Sequence, residues 1–313
     1  MAGSGPIQPF VWYLPQVDTV LSCPVPDSLV DVVDLGAGVV ALVLNRASKR
    51  NALSRAILSA LVEDLAASAA RTDCRVIVLA AHGPVFSSGA DTKEVRTIAI
   101  GEPGSPEDLQ AQCQNLMSQI RQPIVAYVTG DVIGGAVGLV AAADIVVAAD
   151  CASFVLPESR LGLAPTLAAP PVVARIGRAA AARLMLLGDR VDARACREMG
   201  LVNIDAAPDD LAGALEGVLG ALLAASPSGL AACKALARAL ADDRHRPTSA
   251  DLFDLTKELV ASPDVRAGGE AAARNAPPPW STKPPSAGRI KLVLAATPGS
   301  GSSDHAPDAA SRG

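Results

Sequence analysis

The stretch Gly130-Asp131-Val132-Ile133-Gly134-Gly135-Ala136-Val137-Gly138-Leu139 decides how this chain is read. It follows a strand-like apolar run, Ile124–Val128, and leads into an alanine-rich run that ends at Asp144. A strand, a glycine turn and a helix leave backbone N–H groups pointing outward at a helix N-terminus, where they stabilise negative charge. A second turn, Phe86-Ser87-Ser88-Gly89-Ala90-Asp91, follows another apolar run and offers an opposing N–H. Two such donors converging on one oxygen make an oxyanion hole.

Outward from these turns, strands and helices alternate. Val39–Leu44, Arg75–Ala80, Ile124–Val128 and Ile145–Ala149 read as strands, and their continuous apolar runs suit a sheet buried on both faces. Leu53, Ile57, Leu61 and Leu65 recur at helical spacing, which predicts an amphipathic helix over 53–69 capped by Asn51 or Ser54. Short helices are expected at Ala179–Leu187 and Ala193–Met199. Longer ones follow over 207–225, 228–242, 250–261 and 264–274. The division this implies is a loosely ordered extension over 1–27, an α/β core over 28–205, a helical region over 206–281 and a disordered tail over 282–313. Within that tail, Ile290–Ala296 has the makings of a short ordered piece.

At 313 residues the chain can bury a full core. Its net charge of −5 gives no general reason to bind nucleic acid. The six cysteines and three histidines are scattered without metal-ligand spacing, so no metal site is expected and the cysteines read as reduced. The longest apolar stretch, around Val132–Ala143, is too short to span a bilayer, and no signal peptide is visible. The expectation is a soluble, cytoplasmic protein with no membrane partner.

An ordered series of motifs resembles the crotonase family, the enoyl-CoA hydratase/isomerase superfamily. Leu44-Asn45-Arg46 precedes Asn51-Ala52-Leu53-Ser54. Phe86-Ser87-Ser88-Gly89-Ala90-Asp91-Thr92-Lys93-Glu94 comes next, then Gln122–Ala126 leading to Gly134-Gly135-Ala136 and Asp144. Pro157-Glu158-Ser159-Arg160-Leu161-Gly162-Leu163-Ala164-Pro165 follows, and Ser262–Arg266 runs on to Trp280. The resemblance implies an α/β spiral of ββα units with a helical C-terminal trimerisation region, and hence a homotrimer or dimer of trimers. It implies an acyl-CoA thioester as substrate, with coenzyme A as part of that substrate and no separate cofactor. Ala90 and Gly135 would donate their N–H groups to the thioester oxygen, and Glu158 would act as acid/base. Asp91, Thr92 and Lys93, with Ala90, would line the pantetheine or nucleotide path, and Gly134 would also contact the substrate. Arg46, Lys49 and Arg50 would flank the adenosine end.

The physical logic agrees. Adding water across a conjugated thioester, or removing its α-proton, collects negative charge on the thioester oxygen, and fixed donors there stabilise the transition state above the ground state. Hydratases of this family commonly carry a second glutamate on the helix after the glycine turn; that position falls on Gly138. Glycine there serves either close helix packing or a roomier substrate pocket. A lone glutamate suits a Δ3-Δ2 double-bond shift, while hydration profits from two groups. The chain therefore reads as an enoyl-CoA hydratase or isomerase. The alternative is a catalytically silent protein of the same fold that binds coenzyme A or serves assembly. A serine hydrolase working through Ser87 or Ser88 with His82 is a weaker third reading, because no GxSxG elbow is present. Near Trp280, Ala272 and Asn275 stand where the family often has an aromatic and a basic residue.

Overall fold

A computed structural model describes residues 28–95, 102–241 and 246–294. The proposed N-terminal extension over 1–27 and the tail from 295 onward lie outside the described residues. Two sheets form the frame. The six-stranded sheet has the order β1 (Val30–Gly36), β2 (Val39–Leu44), β3 (Val76–Ala81), β5 (Ile124–Val128), β7 (Ile145–Ala149), β10 (Ile204–Ala206). All its pairs are parallel except β1 with β2. The smaller sheet has the order β4 (Val85–Ser87), β6 (Asp131–Ile133), β8 (Ser153–Val155), β9 (Val191–Asp192).

Three times the chain makes a strand of the large sheet, then a strand of the small one, then a helix. The helices are α3 (Pro106–Gln119), α4 (Gly135–Ala142) and α5 (Ala169–Leu187). A short helix, α2 (Thr92–Val95), precedes α3. This repetition is the ββα spiral. It stacks the turns after β4 and β6 side by side, because β4 and β6 are parallel neighbours. The core is the apolar filling of this frame. β2 and β3 are buried at every position, as their unbroken Val/Ile/Leu/Ala runs require for strands covered on both faces. β1, at the sheet edge, buries only Val30 and Leu35 and leaves Val32 and Asp34 exposed.

α1 (Arg55–Ala70) buries Ile57, Leu58, Leu61 and Leu65, and Ser54 caps it by accepting the Ile57 N–H. The expected helix over 179–187 is the second half of α5, whose first half begins at Ala169; the two halves break at Gly177, with φ +74°. α6 (Ala193–Glu198) follows β9.

The helical region expected from 206 starts against the sheet: α7 (Leu211–Ala224) buries Leu211, Leu215, Leu219 and Leu223, one at every helical turn, and packs on β3, β7 and β10. α8 (Pro227–Ala241) is tied to the core by Lys234, which pairs with Asp144 at 2.7 Å and donates to the Gln122 carbonyl; α9 (Ser249–Val260) and α10 (Pro263–Ala273) follow it. In the tail, the short ordered piece expected at Ile290–Ala296 is a helix that begins three residues earlier. α11 (Ala287–Leu294) buries Ile290 and Leu294 against α7 and β1, and Arg289 donates to the Asp34 carbonyl at 3.0 Å. No single helix among the described residues is long and apolar enough to cross a bilayer.

Candidate active site

The turn after β4 is held by the loop that connects β2 to α1. Asn51, fully buried and at φ +50°, is its hub. Its amide donates to the carbonyls of His82 (2.8 Å) and Val85 (3.0 Å), and its oxygen accepts the Arg46 N–H at 2.8 Å. Ser87 Oγ donates to the Asn51 carbonyl at 2.7 Å and accepts the Gly89 N–H at 3.2 Å. Leu53 then bridges to Ala90 in parallel fashion: the Leu53 N–H donates to the Gly89 carbonyl, and the Asp91 N–H to the Leu53 carbonyl. In such a bridge the flanking residues bond to the partner, so Ala90's own N–H points to the opposite edge. Ala90 itself is exposed.

The opposite edge is the second turn. Gly89 sits at φ +79°, and a Cβ there would lie 2.6 Å from the Ile133 carbonyl oxygen and 3.5 Å from Gly134 Cα. The two turns are therefore in backbone contact, which only glycine at position 89 permits. Gly134, at φ +56° and ψ −131°, is the N-cap of α4 and donates its N–H to the Val155 carbonyl at 2.8 Å. Gly135 is the first residue of α4, one of the positions whose N–H has no partner within the helix.

Glu158 reaches this junction. A Cβ on Gly134 would lie 3.1 Å from Glu158 Oε1. The residue is the second of a short 3-10 helix, Pro157–Leu161, which follows β8, the small-sheet neighbour of β6. Its Oε2 is buried without a hydrogen-bond partner among the described residues. Burial pushes the Glu158 carboxyl above its ordinary range, against a smaller downward pull from its own backbone N–H. A partly buried carboxyl of raised proton affinity at the junction of the two turns is equipped for proton transfer.

Gly138 does not open onto a roomier pocket, and its expected place in the substrate pocket is corrected. A Cβ there would lie 2.7 Å from Ala168 Cα and 2.7 Å from the Gln114 side-chain nitrogen. The glycine is needed for close packing of α4 against the start of α5 and against α3. Arg46 and Asp91 form an ion pair at 2.8 Å, so the two spend their charges on each other and fasten the β2–α1 loop to the Ala90 turn. The Asp91 carboxylate also accepts the Lys93 N–H at 3.1 Å. Lys49, Arg50, Thr92 and Lys93 are exposed around the same turn.

The serine hydrolase reading is not supported. Ser87 Oγ is buried and bonded to Asn51 and Gly89, while His82 pairs with Asp31 at 3.2 Å. Two residues beside the site carry no motif in the sequence: Gln110 and Gln114, one turn apart on α3. Gln110 donates to the Gly135 carbonyl at 3.0 Å. The only sequence signal was a polar pair on a helix that must also cover α1 and α4.

A spiral of ββα units with two abutting turns and a carboxyl at their junction defines the crotonase fold class. Residues 34–283 match the enoyl-CoA hydratase/isomerase family, and the chain belongs to it. It is similar to the 2,3-dehydroadipyl-CoA hydratase of Escherichia coli K12, 33% identical over 174 residues, which cover 55% of this chain and 67% of that protein. The mitochondrial enoyl-CoA hydratase domain-containing protein 3 of Rattus norvegicus is 37% identical over 169 residues; the match covers 53% of this chain and 56% of that relative, so the chain spans little more than half its length. Among solved structures, an enoyl-CoA hydratase from Mycobacterium smegmatis superposes with a TM-score of 0.76 at 29% identity, covering 82% of this chain and 100% of that one. One from Shewanella pealeana gives 0.74 at 28% identity, covering 81% and 96%.

Proposed function

We propose that this chain hydrates the conjugated double bond of an enoyl-CoA thioester, with Glu158 as the proton carrier and the Ala90 and Gly135 N–H groups as oxyanion donors. The observation that carries the reading is the position of the Glu158 carboxyl against Gly134, with its second oxygen buried and unpartnered beside the two turns. In the reaction, Glu158 takes a proton from water and the resulting hydroxide adds to C3. The displaced electron pair moves through C2 to the thioester oxygen, which the two donors stabilise. Glu158 then returns the proton to C2. One carboxyl suffices because the proton it accepts is the proton it delivers. Each donor is worth about a hundredfold or more in rate. No cofactor enters these steps; coenzyme A belongs to the substrate, and the exposed Lys49, Arg50 and Lys93 offer cations for its phosphates.

The test is turnover of crotonyl-CoA by the full chain, followed by loss of the conjugated absorbance. Glu158→Gln should lower kcat by roughly 10² to 10⁴ without changing the fold. Binding without turnover across a panel of thioesters would instead make the chain a silent coenzyme A binder. A 3-enoyl-CoA belongs in the same panel, since a lone carboxyl also serves a Δ3-Δ2 shift; a gain of conjugated absorbance there with none lost from crotonyl-CoA would select the isomerase. α8–α10 leave Phe253, Val260 and Val265 at least half exposed, an apolar surface that a trimer would cover. Light scattering of a monomer at micromolar concentration would refute that assembly.

A further inference from the structure

α3 lays Gln110 and Gln114 over the glycines of α4. A Cβ on Gly135 would lie 2.6 Å from Gln110 Oε1, and one on Gly138 would lie 2.7 Å from Gln114 Nε2. The two glutamines differ in how they are satisfied. Gln110 has its partner in the Gly135 carbonyl. The Gln114 nitrogen is buried with no hydrogen-bond partner among the described residues, and the same is true of Glu158 Oε2. A buried polar atom without a protein partner calls for a physical reason, and a bound water is one. Both side chains lie against α4, Glu158 through its other carboxyl oxygen at the Gly134 N-cap and Gln114 at Gly138. A water that bridges two such polar atoms satisfies both at once.

We infer that Gln114 is a positioning residue that holds the attacking water for Glu158. The inference rests on the hydratase reading. A carboxamide neither accepts nor gives up a proton near neutral pH, so Gln114 leaves the proton inventory to Glu158. Its duty is to fix the water's oxygen over C3 while Glu158 removes one of its protons. A half-turn of the amide presents either a donor or an acceptor, so it can hold the water before and after that transfer. The same side chain explains how a chain with glycine at 138 can still place a nucleophile: the space a longer residue would fill is supplied from α3.

Two variants of the full chain test this, each assayed in two reactions. The first reaction is hydration of crotonyl-CoA. The second is exchange of the C2 protons of butyryl-CoA in heavy water, followed by mass spectrometry, which needs Glu158 and the oxyanion donors but no attacking water. In Gln114→Leu, hydration should fall about a hundredfold, the usual penalty for a misplaced reactant, while exchange falls no more than about threefold. Gln114→Glu, nearly isosteric, should fold like the wild type and add a second ionisation to the pH profile of kcat, because two carboxyls that share a water titrate as a coupled pair. Equal losses in both reactions for Gln114→Leu, or no loss in either, would overturn the inference. So would a wild-type pH profile for Gln114→Glu, which decides the matter alone should Gln114→Leu fail to fold. A wild type that exchanges C2 protons but hydrates nothing would overturn the hydratase reading and this inference with it; every other failure leaves that reading standing.

Discussion

The turn carrying Ala90 is tied down by side chains, whereas the turn carrying Gly135 is shaped by their absence. In the first, Asn51, Ser87 and the Arg46–Asp91 pair fix the backbone from three directions. In the second, Gly134 adopts a conformation other residues avoid, and the helix start does the rest. The contrast teaches where each turn is fragile. The first fails by losing a polar group; the second fails by gaining carbon. Where they meet, at Gly89 and Ile133–Gly134, both weaknesses coincide.

Gly89→Ala should therefore have the largest effect. The added Cβ would sit 2.6 Å from a backbone oxygen, at a φ of +79°, and neither element is a movable side-chain tip. The turns must part, which should cost roughly a hundredfold or more in turnover, the worth of one oxyanion donor, and about 1–3 kcal/mol in stability. Near-wild-type turnover would break the claim that backbone contact sets the donors. Asn51→Ala comes next. It removes three hydrogen bonds and orphans two carbonyls and the Arg46 N–H. The expected cost is about 3 kcal/mol in a urea melt, with roughly tenfold lower turnover below the melt, since the Ala90 turn loses its anchor.

Gly135→Ala sharpens the comparison from the other side. Its Cβ also meets a close neighbour, but that neighbour is the end of the Gln110 side chain, which can move. Alanine is the better helix former by about 1 kcal/mol, so stability should change by less than about 1 kcal/mol and turnover by a few-fold at most. A loss as large as that of Gly89→Ala would mean that Gln110 is itself rigidly required.

The same asymmetry decides what the sequence discloses. β2 and β3 announce themselves, because strands buried on both faces need unbroken apolar runs. The small sheet does not: β4, β6 and β8 are three residues each, too short for any periodicity to register. Their presence is legible only through the glycine turns that end two of them. Asn51 was visible as a possible helix cap, yet Ser54 does the capping and Asn51 joins two loops. Its role depends on carbonyls more than thirty residues away. Gly138 read equally well as packing or as open space, because what fills that space, Ala168 and Gln114, comes from two other elements. α11 showed in the sequence only as an apolar patch at Ile290–Ala296; that it is a helix beginning at Ala287 depends on the partners Ile290 and Leu294 find in β1 and α7. Glu158 stood out, but its proximity to Gly134 follows from β8 pairing with β6, a contact no local pattern encodes.

The two turns should also answer pH in opposite directions. Burial pushes the Asp91 carboxyl up, but its bond from Arg46, the Lys93 N–H and the charges of both cations outweigh burial and hold it below its ordinary range. A carboxyl whose value falls on folding stabilises the native state above the unfolded value, near 3.8, and loses that contribution as pH drops through the lowered folded value. The stability deficit of Asp91→Asn should thus be constant at neutral pH and shrink on acidification below that range. Glu158 behaves in reverse. Its folded value is raised above the ordinary 4.5, so the native state is at its best below that pH and pays for ionising a buried group as pH rises through the folded value. Glu158→Gln should match the wild type in thermal midpoint below the ordinary 4.5 and exceed it increasingly as pH rises through the raised folded value, the difference levelling off above it. The gain is modest because the carboxyl is only partly buried. A Glu158→Gln midpoint that fell below the wild type at neutral pH would mean that the carboxylate is stabilised where it sits, and Glu158 would then lack the raised proton affinity that suits it to take a proton from water.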